Sequence, residues 1–245
     1  MARGKDLYIG STLVHHIYNE DDKIYHIYKG SQEIWRDRRF NKGEIVFEKQ
    51  IGGTYTVELD SGLYDVICVG GGGAAAMRGV YDDKGYGWSG GSGSAFVGRF
   101  SINHGIYTIV VGSANNNTKP QGGNTNTLNP DDMTTHDSSI SGVVTCGGGG
   151  SGHYNPDYVG AAGASPVLSL SPVLTTLNTA GNAGNYASGG KGSSAGPRIY
   201  GGASVYAGFG EGQGCRPSEY SSGRQWFDGT SGYVKIVYVE DNLQS

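Results

Sequence analysis

The sequence predicts an all-β protein, in which a small N-terminal β-hairpin repeat precedes a glycine-rich β domain. Two observations carry this prediction. Glycine accounts for 45 of the 245 residues, and because glycine costs ~1 kcal/mol relative to alanine inside a helix, few windows of the chain favour helices. Short runs in which apolar and polar residues alternate recur along the chain, which is the pattern of half-buried strands.

Composition and charge exclude several classes of protein. The 18 lysine and arginine residues are balanced by 22 aspartate and glutamate residues, so the chain has no basic face and we expect no nucleic-acid partner. An aromatic content of 11% with a net charge of −4 is not that of a disordered chain. No run approaches the ~18 apolar residues of a membrane span, and the N-terminus lacks the apolar core of a signal peptide. We therefore expect no membrane insertion and synthesis in a cytoplasm.

Residues 1–40 contain a short repeat that predicts two hairpins. The pattern Tyr-x-Gly-Ser begins at Tyr8 and again at Tyr28, which places Gly10 and Gly30 in two-residue turns. Two hairpins of about eight residues are marginal alone. We therefore expect this region, with Trp35 near its end, to attach the chain to a neighbour. The charged residues 36–43 form the junction with a second domain, residues 41–245.

Strand patterns return after residue 44 and predict a sandwich or a barrel. Apolar residues alternate at Tyr55, Val57 and Leu59, and a continuous β-rich run follows at 63–69. Phe96, Phe100 and Ile102 share one face of another strand, and further strands are predicted at 106–111 and 139–146. A closing strand at 232–239 has Val234, Ile236 and Tyr238 on one face.

Two of these strands run directly into glycine tetrads, at residues 70–73 and 147–150, and further glycine runs follow at 189–192, 201–202 and 208–214. A structureless loop from 147 to 230 would be improbable in a compact domain. Without Cβ atoms, a chain can form extended threefold helices that pack closely and pair their backbones. We therefore expect a glycine-rich β-sandwich with packed polyglycine-II-type helices.

The sequence offers little catalytic chemistry. Strand residues 64–69 followed by glycines 70–73 and Ala75 match a dinucleotide-binding pattern, but no amphipathic helix follows. His136, Asp137 and Ser138 are triad residue types in succession, which is not triad geometry. Cys68, Cys146 and Cys215 fit neither a disulfide framework nor a zinc pattern, and we expect them to be buried. We therefore expect no catalytic residues, no cofactor, no metal site and no enzymatic activity.

Aromatic residues stand beside glycine, serine and asparagine in the glycine-rich stretches. That composition is typical of binding loops, in which rigid amphipathic rings make contacts and small polar residues adapt. The alternative is that these rings cover glycine layers that have no side chains of their own to bury. The candidate binding residues are Tyr81, Tyr86, Trp88, His153, Tyr154, Tyr158, Tyr186, Tyr206, Tyr220 and Trp226.

The order of motifs resembles the glycine-rich domain of bacteriophage tail and tail-fibre proteins. The motifs are the strand at 64–69 running into four glycines, Gly-Ser-Ala-Phe-Val-Gly-Arg-Phe at 93–100, the hairpin at 105–112 and Gly-Tyr-Val-Lys-Ile-Val-Tyr at 232–238. The Tyr-x-Gly-Ser repeats are similar to repeats at the start of phage tail proteins.

This resemblance implies a virion protein that docks to other tail proteins through the repeat. It also implies contact between the aromatic loops and a bacterial surface glycan or outer-membrane protein. We expect a homo-oligomer, and a trimer would agree with the resembling fibres. Two alternatives stay open. One is a structural subunit of the baseplate, tail hub or capsid decoration, and the other is an enzyme acting on surface polysaccharide, for which a convincing acid pair is missing.

Overall fold

The computed structural model describes residues 40–79, 85–114, 136–152, 159–188, 198, 200, 202–216 and 225–240, and the backbone of six short strands between residues 8 and 36. Every regular element within these residues is a β-strand, so the all-β prediction is confirmed. No helix in this part of the chain is long and apolar enough to cross a membrane.

The N-terminal strands pair as three antiparallel hairpins. They are β1 (Tyr8–Ile9), β2 (Thr12–Leu13), β3 (Ile17–Asn19), β4 (Asp22–Ile24), β5 (His26–Lys29) and β6 (Gln32–Arg36). The first and third pairs enclose Gly10 and Gly30, so both predicted hairpins are confirmed as strand pairs, although the two glycines lie outside the described residues. The middle hairpin, β3–β4, was not predicted. Its signal is Tyr18, which stands ten residues after Tyr8 and ten before Tyr28.

Fifteen strands are described after residue 40. They are β7 (Ile45–Lys49), β8 (Gly53–Leu59), β9 (Gly62–Val69), β10 (Ala76–Gly79), β11 (Gly85–Trp88), β12 (Ala95–Ile102), β13 (Gly105–Val111), β14 (Ser138–Ile140), β15 (Val144–Cys146), β16 (Val167–Leu168), β17 (Leu174–Thr179), β18 (Tyr186–Ser188), β19 (Gly214–Arg216), β20 (Gln225–Phe227) and β21 (Tyr233–Glu240).

Two five-stranded antiparallel sheets share one apolar core. The first sheet has the order β17-β12-β9-β21-β7, and the second has the order β16-β15-β14-β13-β8. Tyr64, Phe96 and Phe100 of the first sheet and Leu59 and Ile109 of the second are fully buried in the same cluster. The apolar faces predicted for β12 and β21 are confirmed, because their alternating residues form part of this core.

The strand predicted at 139–146 is wrong, since the structure divides it into the hairpin β14–β15. The turn occupies residues 141–143, and Gly142 adopts a φ of +69° that glycine reaches without strain. The apolar stretch 166–177 supplies β16 and β17, which are edge strands of the two sheets.

The three cysteines are free and buried, as predicted. Burial raises the pKa of the Cys215 thiol to about 12. Burial, with a hydrogen bond to Cys68, raises the pKa of Cys146 well above its usual range. The Cys146 thiol also donates to the carbonyl of Cys68 over 3.0 Å. The thiols of Cys146 and Cys215 therefore stay protonated, and all three cysteines pack as small apolar groups.

A hydrogen-bonded pair on β7 and β21 makes stability depend on pH. The hydroxyl of Tyr233 donates to the Glu48 carboxylate, which also lies 3.6 Å from the Lys235 ammonium. The bond from Tyr233 is the main cause that lowers the pKa of Glu48 in the folded state. A carboxyl whose folded pKa is depressed stabilises the fold above its unfolded pKa, ~4.3, and loses that contribution as the pH falls through the folded value.

We expect Tyr233→Phe to reduce this acid dependence. Urea unfolding between pH 6 and pH 3 should show a smaller fall in the free energy of unfolding for the variant than for the original chain. Tyr107→Phe is the control and should keep the original pH dependence, because the Tyr107 hydroxyl donates to the carbonyl of Asn103 and to no carboxylate among the described residues. An identical pH profile for Tyr233→Phe and the original chain would contradict the assignment.

Candidate functional site

Extended segments that are not part of any sheet connect the strands and bond to one another through their backbones. They are residues 70–75, 89–94, 147–152, 159–163, 181–185 and 210–213, together with Gly202. We call this set the glycine array. Between residues 147 and 214 the sequence predicted few strands, and the glycine array contains many of the described residues of that stretch.

Residues 89–94 form the centre of the glycine array. Three successive N–H groups donate to three different neighbouring segments, and the next three donate to the same segments in the same order. The six bonds, 2.8–3.0 Å from N to O, run from Ser89 to Asn185, Gly90 to Gln213, Gly91 to Gly150, Ser92 to Asn182, Gly93 to Gly210 and Ser94 to Gly147.

The carbonyl groups of the same central segment accept from three further segments. Gly70 and Gly73 donate from one side, Gly160 and Gly163 from another, and Gly202 from a third. Residues 89–94 are therefore surrounded by six backbone segments, of which three accept from it and three donate to it. A chain with a repeat of three residues per turn can bond in this way, because each third residue faces the same neighbour.

Close backbone approach explains the glycines of the array. A Cβ atom on Gly91 would lie 1.9 Å from the Ala161 carbonyl oxygen, and one on Gly93 would lie 2.2 Å from the carbonyl oxygen of Gly70. Both neighbours are backbone atoms, and the Ala161 carbonyl also accepts a hydrogen bond from the N–H of Gly150, so they cannot move aside cheaply. Glycine is required at these positions because the neighbouring backbone leaves no room for a Cβ atom.

Polar side chains at every third position complete the pairing of the segment 181–185. The hydroxyls of Ser89 and Ser92 accept from the N–H groups of Asn185 and Asn182. The side-chain amides of Asn182 and Asn185 in turn donate to the carbonyls of Ala203 (2.8 Å) and Tyr200 (3.0 Å). The two asparagine side chains therefore join the segment 181–185 to residues 200–203. No backbone hydrogen bond joins these two stretches among the described residues.

The glycine array lies between two groups of strands. At one end its segments adjoin β9, β12, β15 and β17 of the two large sheets. At the other end, which we call the far end, they continue into the small sheet β10-β11-β18 and the hairpin β19–β20. The chain therefore passes outward through the array from residues 70, 147, 181 and 210, and it returns at residues 89–94, at residues 159–163 and at Gly202. A fourth return, residues 228–232, leads into β21 and bonds to the segment 210–213 through Thr230 and Ser231.

Three candidate aromatic residues meet at the far end. Tyr86 and Trp88 of β11 and Tyr186 of β18 lie on neighbouring strands, with ring centroids 5.6–6.4 Å apart. Trp88 is only 2% exposed, whereas Tyr186 is 52% exposed. The buried ring of Trp88 therefore packs beside the exposed ring of Tyr186, its partner across the strand pair.

A second aromatic cluster at the far end was missed by the sequence analysis. The guanidinium carbon of Arg198 lies 3.7 Å from the ring centroid of Phe227 and 4.6 Å from that of Tyr200. Tyr200 is 59% exposed, and its carbonyl accepts the bond from Asn185, the residue before Tyr186. The only signal in the sequence was the proximity of Arg198 to Tyr200.

Of the remaining candidates, the structure describes the side chain of Tyr206 alone, and it lies apart from these clusters. Tyr206 lies at the opposite end of the array, in a turn whose residues Ala207 and Gly208 both have positive φ, and it packs against the cluster of Val69 and Tyr233. Trp226 is in β20, where the structure describes its backbone. Outside the described residues are Tyr81, His153, Tyr154, Tyr158 and Tyr220.

The side chains of residues 136–138 each bond to the backbone of neighbouring segments. His136 Nδ1 lies 2.9 Å from the carbonyl oxygen of Ser113. Asp137 accepts from the N–H of Gly148, and Ser138 accepts from that of Gly112. The three side chains therefore diverge to separate backbone partners. No cluster of three metal-ligating side chains occurs among the described residues.

Comparison of the chain with protein-family models, curated proteins and solved structures gives no match. The roles assigned to residues of the far end therefore rest on the geometry of this chain.

Proposed function

We propose that the chain is a bacteriophage virion protein of the tail fibre or tail tip that binds a host-cell surface receptor through its far end. The observation that carries this proposal is the separation of the molecule into a side-chain-poor array and an end that presents exposed aromatic rings. Tyr186 and Tyr200 are both more than half exposed there. Exposed, supported tyrosines are typical of recognition surfaces.

The proposed architecture is a glycine-rich β-sandwich extended by packed polyglycine-II-type helices. The threefold rotation of donors along residues 89–94 and the six neighbouring segments support the helices. The core shared by two antiparallel sheets supports the sandwich. In this arrangement the array acts as a rigid spacer that holds the far end away from the sheets.

The N-terminal hairpins are the proposed attachment region for other tail proteins. Tyr8, Tyr28 and Trp35 lie in β1, β5 and β6, and two-stranded hairpins gain stability by packing on a neighbour. Such a protein would be made in the host cytoplasm and would act as part of the virion, as a homo-oligomer. Exposed edge strands β8 and β17 are available for contacts between copies.

The second candidate is a structural subunit of the baseplate, tail hub or capsid decoration. It is favoured by exposed aliphatic residues on the sheets, since Ile106 is 76%, Ile51 71% and Val167 63% exposed. A stable complex with another virion protein, without any binding to cells, would favour this role over receptor binding.

Receptor binding is tested with the purified, fluorescently labelled chain on a panel of intact bacteria and a glycan array. We expect saturable attachment to some strains that a surface extract competes. Tyr186→Ala should weaken attachment by more than ~1 kcal/mol, as truncation of an aromatic anchor does, while the variant stays folded by circular dichroism.

Tyr206→Ala is the matched control, because it removes the same ring at the opposite end of the array. Its attachment should equal that of the original chain. Equal attachment by Tyr186→Ala and the original chain would contradict the assignment of Tyr186, and failure of the folded chain on every strain would favour the structural subunit.

A further inference from the structure

Arg198 makes no ion pair within the part of the chain that the structure describes. Its side chain is exposed, and among the described residues no carboxylate lies within 4.0 Å of it. Asp228, which directly follows Phe227 in the chain, makes no ion pair with it. By contrast, Arg99 forms a two-pronged pair with Asp65, at 2.7 and 3.0 Å.

The rings of Phe227 and Tyr200 hold this guanidinium in place. A guanidinium 3.7 Å from a ring centroid lies in cation–π contact, and two such contacts restrict the rotation of a long side chain. The five N–H donors of a guanidinium lie at its edge, so contact with ring faces leaves them available. The result is a preorganised fork that fits a carboxylate or a phosphate.

The surroundings of this fork favour a sugar as the carrier of the anion. Tyr200 is 59% and Tyr186 52% exposed, and they are connected through Asn185, whose side-chain amide donates to the Tyr200 carbonyl. Flat amphipathic rings contact the apolar face of a sugar ring, and their hydroxyls bond to its polar edge. A guanidinium in contact with the exposed ring of Tyr200, with the exposed ring of Tyr186 connected to it through Asn185, matches an acidic monosaccharide within a glycan chain.

We infer that Arg198, Tyr200 and Phe227 form a binding site for an acidic sugar of a surface glycan, with its carboxylate or phosphate on the Arg198 guanidinium. The inference rests on the proposed function, since it names the chemical class of the receptor. It gives the aromatic far end a specificity that tyrosines alone do not provide.

The test uses the full chain and defined sugars. Trigalacturonate supplies carboxylates, glucose 6-phosphate supplies a phosphate, and the methyl ester of trigalacturonate is the neutral control. Titrations followed by NMR should show that one or both acidic sugars bind and that the methyl ester binds at least tenfold more weakly. Arg198→Gln should weaken binding of the acidic sugar at least tenfold, and Arg198→Lys, which keeps the charge without the fork, should weaken it less.

Arg99→Gln is the matched control, because it makes the same charge change on the first sheet. Its binding of the acidic sugar should equal that of the original chain. The inference is overturned if neither acidic sugar binds at 10 mM, or if Arg198→Gln binds as tightly as the original chain.

Attachment to bacteria separates this inference from the proposed function. If the original chain and Arg198→Gln attach equally, the acidic-sugar site is wrong and receptor binding stands. If no strain is bound but trigalacturonate binds through Arg198, the site stands and the proposed function fails. Attachment that survives periodate treatment of the cells but not protease treatment identifies a protein receptor and overturns the glycan inference.

Discussion

Gly91→Ala should lower the free energy of unfolding by ~3 kcal/mol or more. The added methyl group would lie 1.9 Å from the carbonyl oxygen of Ala161, which accepts a hydrogen bond from the N–H of Gly150. Relief of the clash therefore separates two backbone segments and breaks a buried bond, and the costs of overpacking and of an unpaired buried group add. Urea denaturation with circular dichroism measures the change.

Gly105→Ala is the matched control for this substitution. At that position, the first residue of β13, the nearest atom to an added Cβ is Cε2 of Tyr107 at 3.7 Å, an ordinary contact. We expect its free energy of unfolding to stay within ~1 kcal/mol of the original, since alanine suits a strand no worse than glycine. Similar free energies of unfolding for the two variants would contradict the prediction that the close backbone approach at Gly91 makes a Cβ atom destabilising there.

Trp88→Ala should lower the free energy of unfolding by ~3–5 kcal/mol, the usual cost of truncating a buried tryptophan. The ring is 2% exposed and its centroid lies 5.6 Å from that of Tyr186 on the neighbouring strand, so its removal leaves a cavity beside the exposed ring. Attachment to cells should fall as well, because Tyr186 loses its support.

Comparison with Tyr186→Ala distinguishes support from direct contact. Truncation of a ring that is half exposed should cost far less stability, although attachment weakens. If Trp88→Ala is as stable as Tyr186→Ala, the tryptophan is not the buried support that its position indicates.

The strands β8, β9, β12, β13 and β21 could be predicted because each places alternating residues in the core. Alternation in β8, β12 and β21 follows directly from the two-residue period of a strand. The hairpin β14–β15 could not, since Ser141 and Gly142 interrupt a β-rich run too briefly to alter its pattern. Similarly, β3–β4 lacks the Gly-Ser turn that marks its two neighbours.

The far end was predictable only in composition. Glycine and aromatic content indicated a closely packed region with exposed rings, but the burial of Trp88 depends on strands and segments that are distant in sequence. Tyr206 was grouped with the far-end rings because the sequence does not reveal at which end of the glycine array a residue between two of its segments lies. Arg198 was missed because its partner Phe227 stands 29 residues later.

The shortage of side chains in the glycine array affects how stability varies with temperature. Unfolding of this region hydrates peptide groups more than hydrocarbon, and polar exposure lowers the heat capacity of unfolding whereas apolar exposure raises it. The heat-capacity increment per residue should therefore lie below the usual ~12–15 cal/mol/K. A smaller increment flattens the curve of free energy against temperature, so the array resists cold as well as heat.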